Sequence, residues 1–431
     1  MRGSGQRRSR EEDGVAIGMT NWAGNHAYRA TALHRPSSIE ELRAIVARAP
    51  KIHVLGARHS FNDIADSAEL VTLEGIAGGI EIDRNAGAVT VGTGVSYGTL
   101  ARALEREGLA LHNLASLPHI SIGGGVATAT HGSGDAHGNL ATAVAALELV
   151  TSDGEIRRVA RGDDDFAGMV VGLGALGVTT RITLDVQPTY LVRQEVFVRL
   201  AWDVLFDQFD AVMASADSVS VFTEYGADAG QVWLKSRVDA DDDRPRRSQF
   251  MGAPAAAQTI NPVATRSAEN FTEQLGVPGS WLDRLPHFRL DAILASGAEL
   301  QTEYLVPRRS AVAALRAVRD LAPLIRPHLW ASEIRTVAAD DLWLSSAYGT
   351  AVVGIHFSWQ PSLDAVNALL PVIEAALAPF EPRPHWAKLF IATARDLEAR
   401  FERLPDFRRL AERLDRRGAF RTAFLERHVF G

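Results

Sequence analysis

The chain has 431 residues, a length that suits two or three domains better than a single core. Its 46% hydrophobic and 23% charged residues are typical of a globular protein, and its net charge of -7 provides no basic surface for nucleic acid or an anionic membrane. Cysteine is absent, which excludes disulfides, thiolate metal sites and cysteine nucleophiles. No stretch approaches the roughly 20 apolar residues that cross a bilayer, so we expect no membrane association.

The first 18 residues are polar and are predicted to form a disordered extension before a core that begins near Met19. Arg7 and Arg8 are adjacent, as in a twin-arginine export signal, but acidic residues follow where such a signal has an apolar stretch. The sequence therefore predicts a cytoplasmic protein.

The first half mixes helices with short strands. A capping box at 37–40 predicts a helix that runs to about residue 49, and a helix over 97–107 ends near Gly108. Strands are expected over 52–55, 80–83, 88–91, 144–151, 155–159 and 178–186, and the second and third form a hairpin. Regular βαβ alternation is missing, so the sequence predicts an α+β domain, with a boundary near Pro188.

The second half is less regular. Residues 239–258 are charged and then alanine-rich, and they are predicted to form a loop whose acidic start lacks the glycine and glutamate of a calcium loop. Apolar segments at 299–306, 332–337, 352–359 and 386–391 predict strands of one sheet, and 406–417 predicts a helix.

Three glycine-rich segments bear on nucleotide binding. Residues 172–177 match G-x-G-x-x-G, but a strand-like run follows them where a dinucleotide-binding loop needs a helix. Residues 56–62 and 121–134 place small side chains where backbone N–H groups could approach an anion. These two segments indicate a nucleotide-sized ligand, with flexible loops as the alternative.

Lysine is scarce in this arginine-rich chain. The 45 basic residues include only Lys51, Lys235 and Lys388. Because lysine carries a compact ammonium whose pKa changes readily on burial, each is a candidate for a special role, against the alternative of chance retention.

Several predicted strands carry polar residues two positions apart, which places both members of a pair on one face of the sheet. The pairs are Gln301 with Glu303, Glu333 with Arg335, and His356 with Ser358. Lys388 lies in the apolar segment 386–391. Because buried charges need partners, this pattern indicates a polar pocket; ion pairs on an exposed sheet face are the alternative.

Six ordered motifs resemble one family. They are NWAGN (21–25), GARHSFN (56–62), LASLPHIS (114–121), ELQTEYL (299–305), EIRTVA (333–338) and RPHWAK (383–388). Together they resemble the alditol oxidase family, within the vanillyl-alcohol-oxidase type of flavoproteins. The similarity extends from about Met19 to Phe424, nearly the whole chain.

The resemblance implies a two-domain flavoprotein. An α+β FAD-binding domain would span 19–189, a substrate domain with a large antiparallel sheet 190–395, and a C-terminal segment returning to the flavin 396–431. The resemblance also implies that His59 is bonded to the flavin 8α-methyl. Relatives with two flavin links use a cysteine as well, so only the histidyl link is open to this chain.

The resemblance assigns contacts residue by residue. For FAD they are Val54, Leu55, Gly56, Ala57, Arg58, His59, Ser60, Ser116, Ser121, Gly124, Thr128, Ala129, Thr130, His131 and Thr179. For the substrate they are Ser116, Gln301, Glu333, Arg335, His356, Ser358 and Lys388. Ala115 would control access of O2 to the flavin, and no metal is implied.

The implied activity is oxidation of the terminal alcohol of a polyol such as xylitol, sorbitol or glycerol, with O2 reduced to H2O2. Arg335 and Lys388 would stabilise the alkoxide, and His356 is the favoured proton acceptor, supported by Glu333, with Lys388 as the alternative. An aldonolactone oxidase or dehydrogenase, or a noncatalytic nucleotide-binding module, would be the alternative function. A monomer is expected.

Overall fold

The structure is a computed structural model that describes residues 16–76, 78–292 and 299–431. Residues 1–15 of the predicted extension lie outside this part. Where the description begins, the Ile17 amide donates to the Ala30 carbonyl at 2.9 Å, so the chain has joined the fold before Met19.

The first half contains short strands with helices between them. Its strands are β1 Ala32–His34, β2 Ile52–Val54, β3 Glu69–Val71, β4 Ile80–Asp83, β5 Ala88–Gly92, β6 Leu109–Ala110, β7 Val144–Val150, β8 Ile156–Ala160, β9 Val178–Asp185 and β10 Gln187–Pro188. Its helices are α1 Ile39–Arg48, α2 Tyr97–Arg106, α3 Ile122–Ala127 and α4 Phe166–Val170. Within the described residues they form a parallel sheet in the order β1-β3-β2 and an antiparallel sheet in the order β4-β5-β9-β7-β8.

The local signals of the first half are confirmed, with one shift. The hairpin pairs Asp83 with Ala88, and β9 follows the G-x-G-x-x-G segment directly. The helix α1 begins one residue later than a 37–40 box implies, because Ser38 is the N-cap and accepts from the amide of Glu41. The Glu41 carboxylate in turn accepts from the amide of Ser37 at 2.8 Å.

The second half is built on one large sheet. Its strands are β11 Leu191–Leu200, β12 Ser218–Thr223, β13 Gly230–Val238, β14 Gln249–Phe250, β15 Ala253–Pro254, β16 Gly279–Ser280, β17 Leu300–Pro307, β18 Leu329–Val337, β19 Val352–Trp359 and β20 Arg383–Pro384. Its helices are α5 Trp202–Asp207, α6 Phe209–Met213, α7 Ala311–Asp320, α8 Ala322–Ile325, α9 Leu363–Leu377, α10 Ala394–Glu398, α11 Leu404–Leu414 and α12 Ala423–Leu425. In the described chain eight strands pair in the order β16-β11-β13-β12-β18-β19-β17-β20, antiparallel throughout.

Two predictions for the second half are wrong. Residues 386–391 form a turn rather than a strand: pairing ends at Pro384, and the chain leaves the sheet edge before the Leu389 amide returns to the Gln301 carbonyl. Within this turn Lys388 donates from Nζ to Gln301 Oε1 of β17. The predicted loop at 239–258 contains the short hairpin β14–β15.

One helical stretch departs from the expectation that no segment is long and apolar enough to cross a bilayer. By length and composition alone, Leu363–Phe380 could cross a membrane, with a mean hydropathy of 1.5 over 18 residues. Its Val366, Leu370 and Ile373 are buried, and α9 packs against α7. Only 28% of the stretch is buried, and such a partial stripe of buried apolar residues is typical of a surface helix that packs on a core.

The two halves are joined along a seam of hydrogen bonds. The Phe61 amide donates to the Ala387 carbonyl, and the Asn62 side-chain amide donates to the carbonyls of Trp386 and Lys388 at 2.8 and 2.7 Å. At the other end of the seam, the Gly134 amide donates to Thr336 of β18. The large sheet is thereby fixed with one face against the first half.

Candidate active site

A cavity of about 610 Å³ lies between the two halves and is lined by both. Of the predicted flavin contacts, only Ala129 does not line it. Every predicted substrate contact lines it, as does Ala115. Residues 396–431, all of them described, contribute no lining side chain; Phe420 packs instead against Leu42 and Ile52 of the first half.

The loop after β2 has the features of an anion site. None of the amides of residues 56–60 donates to a backbone carbonyl within the described residues. Arg58 has a φ of 60°, a left-handed conformation that turns successive N–H groups towards one side. A side chain at position 56 would place its Cβ 2.8 Å from Ser121 Oγ, so glycine at this position allows the loop to pack closely against Ser121. These features fit the pyrophosphate of FAD.

The glycine-rich segment 121–134 contributes differently from what its composition indicates. The amides of Ile122 and Gly123 donate to the carbonyls of Val95 and Thr93, and the Gly124 amide points to Ser121 Oγ. These N–H groups are therefore already paired within the protein. The segment supplies close packing and hydroxyl groups, and Ala129, with a φ of 51°, turns the chain towards His131.

His59 is half-buried in the cavity wall beside Trp22, with ring centroids 5.2 Å apart. Burial, reinforced by Lys388, lowers the pKa of the His59 imidazole to about 4. At neutral pH the ring is uncharged and keeps a lone pair for bond formation.

Three adjacent strands bring the predicted polar pairs into register. His356 of β19 pairs with Glu333 of β18 on one side and with Glu303 of β17 on the other. Two residues further along β19, Ser358 pairs with Gln301 of β17. Arg335 pairs with Gly354, whose missing side chain leaves room: a Cβ there would lie 3.1 Å from Glu303 Oε1. The pocket interpretation of these pairs therefore holds, because every member lines the cavity and four of the six, Glu303, Glu333, Arg335 and His356, are buried.

Glu303 is the centre of this group. Its Oε1 accepts from Arg335 Nη2 at 2.7 Å and lies 3.2 Å from His131 Nε2, while Oε2 lies 3.4 Å from His356 Nδ1. Burial alone would raise the pKa of Glu303, but Arg335, His131 and His356 hold it well below its usual value. The carboxylate is ionised. Sequence reasoning paired Glu303 with Gln301 but gave it no role in the site.

The geometry around His356 fixes its tautomer. Because the Glu303 carboxylate only accepts, Nδ1 of His356 carries the hydrogen. Nε2 is then the basic nitrogen, 3.3 Å from Ser358 Oγ. The carboxylate bonded to His356 is Glu303, whereas the sequence-based interpretation named Glu333, which bonds His287 Nε2 at 2.7 Å instead.

The remaining predicted residues complete the wall. Lys388 Nζ donates to Gln301 Oε1 and lies 4.8 Å from the centre of the Phe61 ring. Burial lowers the pKa of Lys388 to about 8, against the opposing effect of Glu303. Ser116 Oγ, a predicted contact of both flavin and substrate, lies 3.4 Å from Nη1 of Arg335, a predicted substrate contact.

One group of side chains has the geometry of a metal site. The ligand atoms of His131, Glu303 and His385 lie within 4.8 Å of one another. Arg335 already places a guanidinium on the same Glu303 oxygen, however, and a cation there would face a fixed positive charge at close range. The arrangement suits a network of hydrogen bonds and ion pairs around Glu303 better than a metal ion.

Comparisons with known proteins agree with this geometry. A family model described as FAD binding domain matches residues 30–160, and one described as D-arabinono-1,4-lactone oxidase matches residues 298–428. The chain is 45% identical to alditol oxidase of Streptomyces sp., over 95% of this chain and 99% of that protein. It is 28% identical to L-gulono-1,4-lactone dehydrogenase of Mycobacterium tuberculosis, over 92% and 95% respectively.

A solved structure shares the fold. Cholesterol oxidase from B. sterolicum superposes with a TM-score of 0.76 at 14% identity, covering 95% of this chain and 96% of that one. The predicted two-domain α+β architecture with a large antiparallel sheet is confirmed.

Proposed function

The chain belongs to the alditol oxidase family of FAD-dependent enzymes, and we propose that it oxidises the terminal primary alcohol of polyols such as xylitol, sorbitol and glycerol to the aldose. The hydrogen-bonded series Glu303, His356 and Ser358 carries this proposal. The cations Arg335 and Lys388 line the same cavity. These residues present a basic nitrogen and positive charge to a cavity that His59 also lines.

The proton of the substrate hydroxyl goes to His356. Its Nε2 carries the lone pair and lies 3.3 Å from Ser358 Oγ in the cavity wall. Glu303, bonded to Nδ1, stabilises the imidazolium that forms. Arg335 and Lys388 stabilise the developing alkoxide, because a fixed cation in a buried site is worth more than one in water.

The other polar residues bind the rest of the chain of hydroxyls. Glu333 accepts hydrogen bonds, Gln301 and Ser358 both donate and accept, and Ser116 lies on the flavin side. A substrate that lacks the matching hydroxyls would leave these buried groups unpaired, so the site selects polyols over simple alcohols.

Bound FAD supplies the hydride acceptor. The proposal includes a covalent bond from the His59 ring to FAD, supported by the neutral, half-buried imidazole in the cavity wall. The overall reaction converts RCH2OH and O2 to RCHO and H2O2, and Ala115, a small buried residue of the wall, leaves a path for O2.

A lactone-oxidising activity is the second candidate. It is favoured by the match of residues 298–428 to the D-arabinono-1,4-lactone oxidase model and by the mycobacterial relative. Purified protein assayed with xylitol, sorbitol, glycerol and an aldono-1,4-lactone separates the two: polyol turnover with peroxide release supports the alditol assignment, and turnover of the lactone alone contradicts it.

The flavin link has its own test. After denaturation in acid, the yellow colour and an FAD-sized mass should stay with the wild-type polypeptide and leave the H59A variant. Release of all flavin from the wild-type protein would refute the histidyl bond and leave the oxidase activity standing.

We further propose a cytoplasmic monomer without a membrane or nucleic-acid partner. Sedimentation of the purified protein and fractionation of the source cells test this, and recovery in the membrane fraction would contradict it.

A further inference from the structure

Lys235 is a buried lysine that the chemistry above does not use. Of the three lysines, Lys388 lines the cavity, and Lys51 donates to the carbonyls of Gly418 and Arg421 at the surface. Lys235 lies on β13 with 1% of its surface exposed, and its side chain does not line the cavity. A buried ammonium is costly unless its neighbours compensate it, so its partners matter.

Those partners form a chain of hydrogen bonds that ends in the substrate pocket. Lys235 Nζ donates to the Leu285 carbonyl and lies 3.1 Å from His287 Nδ1. His287 Nε2 lies 2.7 Å from Glu333 Oε1, and Glu333 Oε2 faces Arg335 Nε at 3.5 Å. His287 and Glu333 both line the cavity.

The direction of these bonds follows from the groups at the two ends. A lysine ammonium only donates and a carboxylate only accepts. His287 must therefore accept at Nδ1 and donate from Nε2, which selects one neutral tautomer. Burial, with Lys235 second, lowers the pKa of His287 to about 4, in keeping with a neutral ring. Phe222 and Trp233 pack edge-on against this ring and hold its plane.

We propose that Lys235 is a positioning residue of the polyol site: through His287 it keeps Glu333 ionised, with one oxygen held from behind and the other free for Arg335 and a substrate hydroxyl. This inference rests on the proposed polyol oxidation for its kinetic consequence only. Without Lys235 the His287 ring can adopt the other tautomer, which turns a lone pair towards Glu333 and releases the carboxylate.

The charges are consistent with this role. Glu303 and Glu333 are two buried anions, and Arg335 contacts both. Lys235 lies on the far side of Glu333: burial lowers the pKa of its ammonium to about 7, and the attraction of the Glu333 carboxylate opposes this loss of the proton. The side chain of Lys235 is almost fully buried, so the larger guanidinium of an arginine would need more space between β13 and its neighbours. This explains a lysine here in an arginine-rich chain.

A double-mutant cycle on the flavin-loaded enzyme tests the proposal. The K235M variant should retain FAD and lose about 10- to 100-fold in kcat/KM for xylitol, because a hydrogen bond to a charged group is lost. In an E333A background the same substitution should change kcat/KM by less than about twofold, because the group through which Lys235 acts is gone. K51M, the matched lysine control, should change neither value.

Equal losses in both backgrounds, or an unaffected K235M, would overturn the proposal. If K235M loses its FAD, K235Q carries the same cycle, since its amide can still donate to Leu285. Nitrogen-15 NMR of labelled imidazoles, assigned with H287N, gives a reading that does not require turnover. Wild-type His287 should be the neutral tautomer protonated at Nε2, and an imidazolium or the reverse tautomer would refute the chain. A wild-type enzyme that turns over no polyol but shows this tautomer would refute only the proposed function.

Discussion

Replacing Glu303 by glutamine should separate the fold from the chemistry. The substitution keeps the shape of a side chain that is 1% exposed and removes its charge. In the native protein Oε1 meets Arg335 and His131, while Oε2 meets Nδ1 of His356.

The amide cannot satisfy both sides in the same way. Because a guanidinium only donates, the oxygen of Gln must face Arg335, and the NH2 group must then face His356. His356 would have to accept at Nδ1 and would carry its hydrogen on Nε2. That tautomer has no lone pair for the substrate proton.

The expected loss is large. A positioned general base contributes about 10²- to 10⁴-fold, so anaerobic flavin reduction by xylitol in E303Q should slow by that factor. Removing one partner of a buried ion pair costs about 3–5 kcal/mol of unfolding free energy, and Glu333, 3.5 Å from Arg335, should keep the loss near the lower end.

Stopped-flow reduction and urea unfolding measure the two effects on the same protein. Glu398, whose carboxylate pairs with Arg408 at the surface, gives the matched control, and E398Q should alter neither measurement appreciably. Flavin reduction in E303Q within about tenfold of wild type would show that His356 does not depend on Glu303 and would refute this role of the carboxylate.

Further substitutions test the neighbouring groups. K388M should slow flavin reduction by orders of magnitude while FAD stays bound, and normal reduction would remove Lys388 from the chemistry. Burial lowers the Lys388 pKa from 10.5 to about 8, so the rate of flavin reduction should fall as pH rises through 8. The contribution of Lys388 to the free energy of unfolding should rise between pH 8 and pH 10.5, because the unfolded state binds the proton more tightly there. K388R should shift the fall in reduction rate to higher pH. G354A should displace Glu303, 3.1 Å from the new Cβ, and reduce kcat, whereas G226A, with nothing within 4 Å, should not.

Pairs of polar residues on strands could be predicted from the sequence because their spacing alone decides the face. Gln301 with Glu303 and His356 with Ser358 needed only a period of two, and the structure places all four in the cavity wall. The identity of the flavin contacts came from the resemblance, since loop conformations such as that of Arg58 leave no periodic signal.

Other parts of the site could not be predicted because they depend on how distant segments meet. The choice of Glu303 over Glu333 as the partner of His356 depends on side-chain direction across three strands. His287 lies in an irregular stretch after β16, without a pattern to mark it. The apolar run 386–391 looks like a strand, yet its carbonyls are held by Asn62 from the other domain.

The buried charges themselves argue that this wall is kept for chemistry. Replacing a buried ion pair by apolar residues is often neutral or stabilising, so stability gives little reason to keep Glu303, Arg335 and Glu333 together beneath a cavity. The shifted pKa values of Glu303 and Arg335 coincide with a cavity of ligand size. If replacing all three charged side chains together by apolar ones leaves the protein at least as stable as the wild type while flavin reduction collapses, the charges are not kept for the fold, which is the pattern of a functional site rather than a structural one.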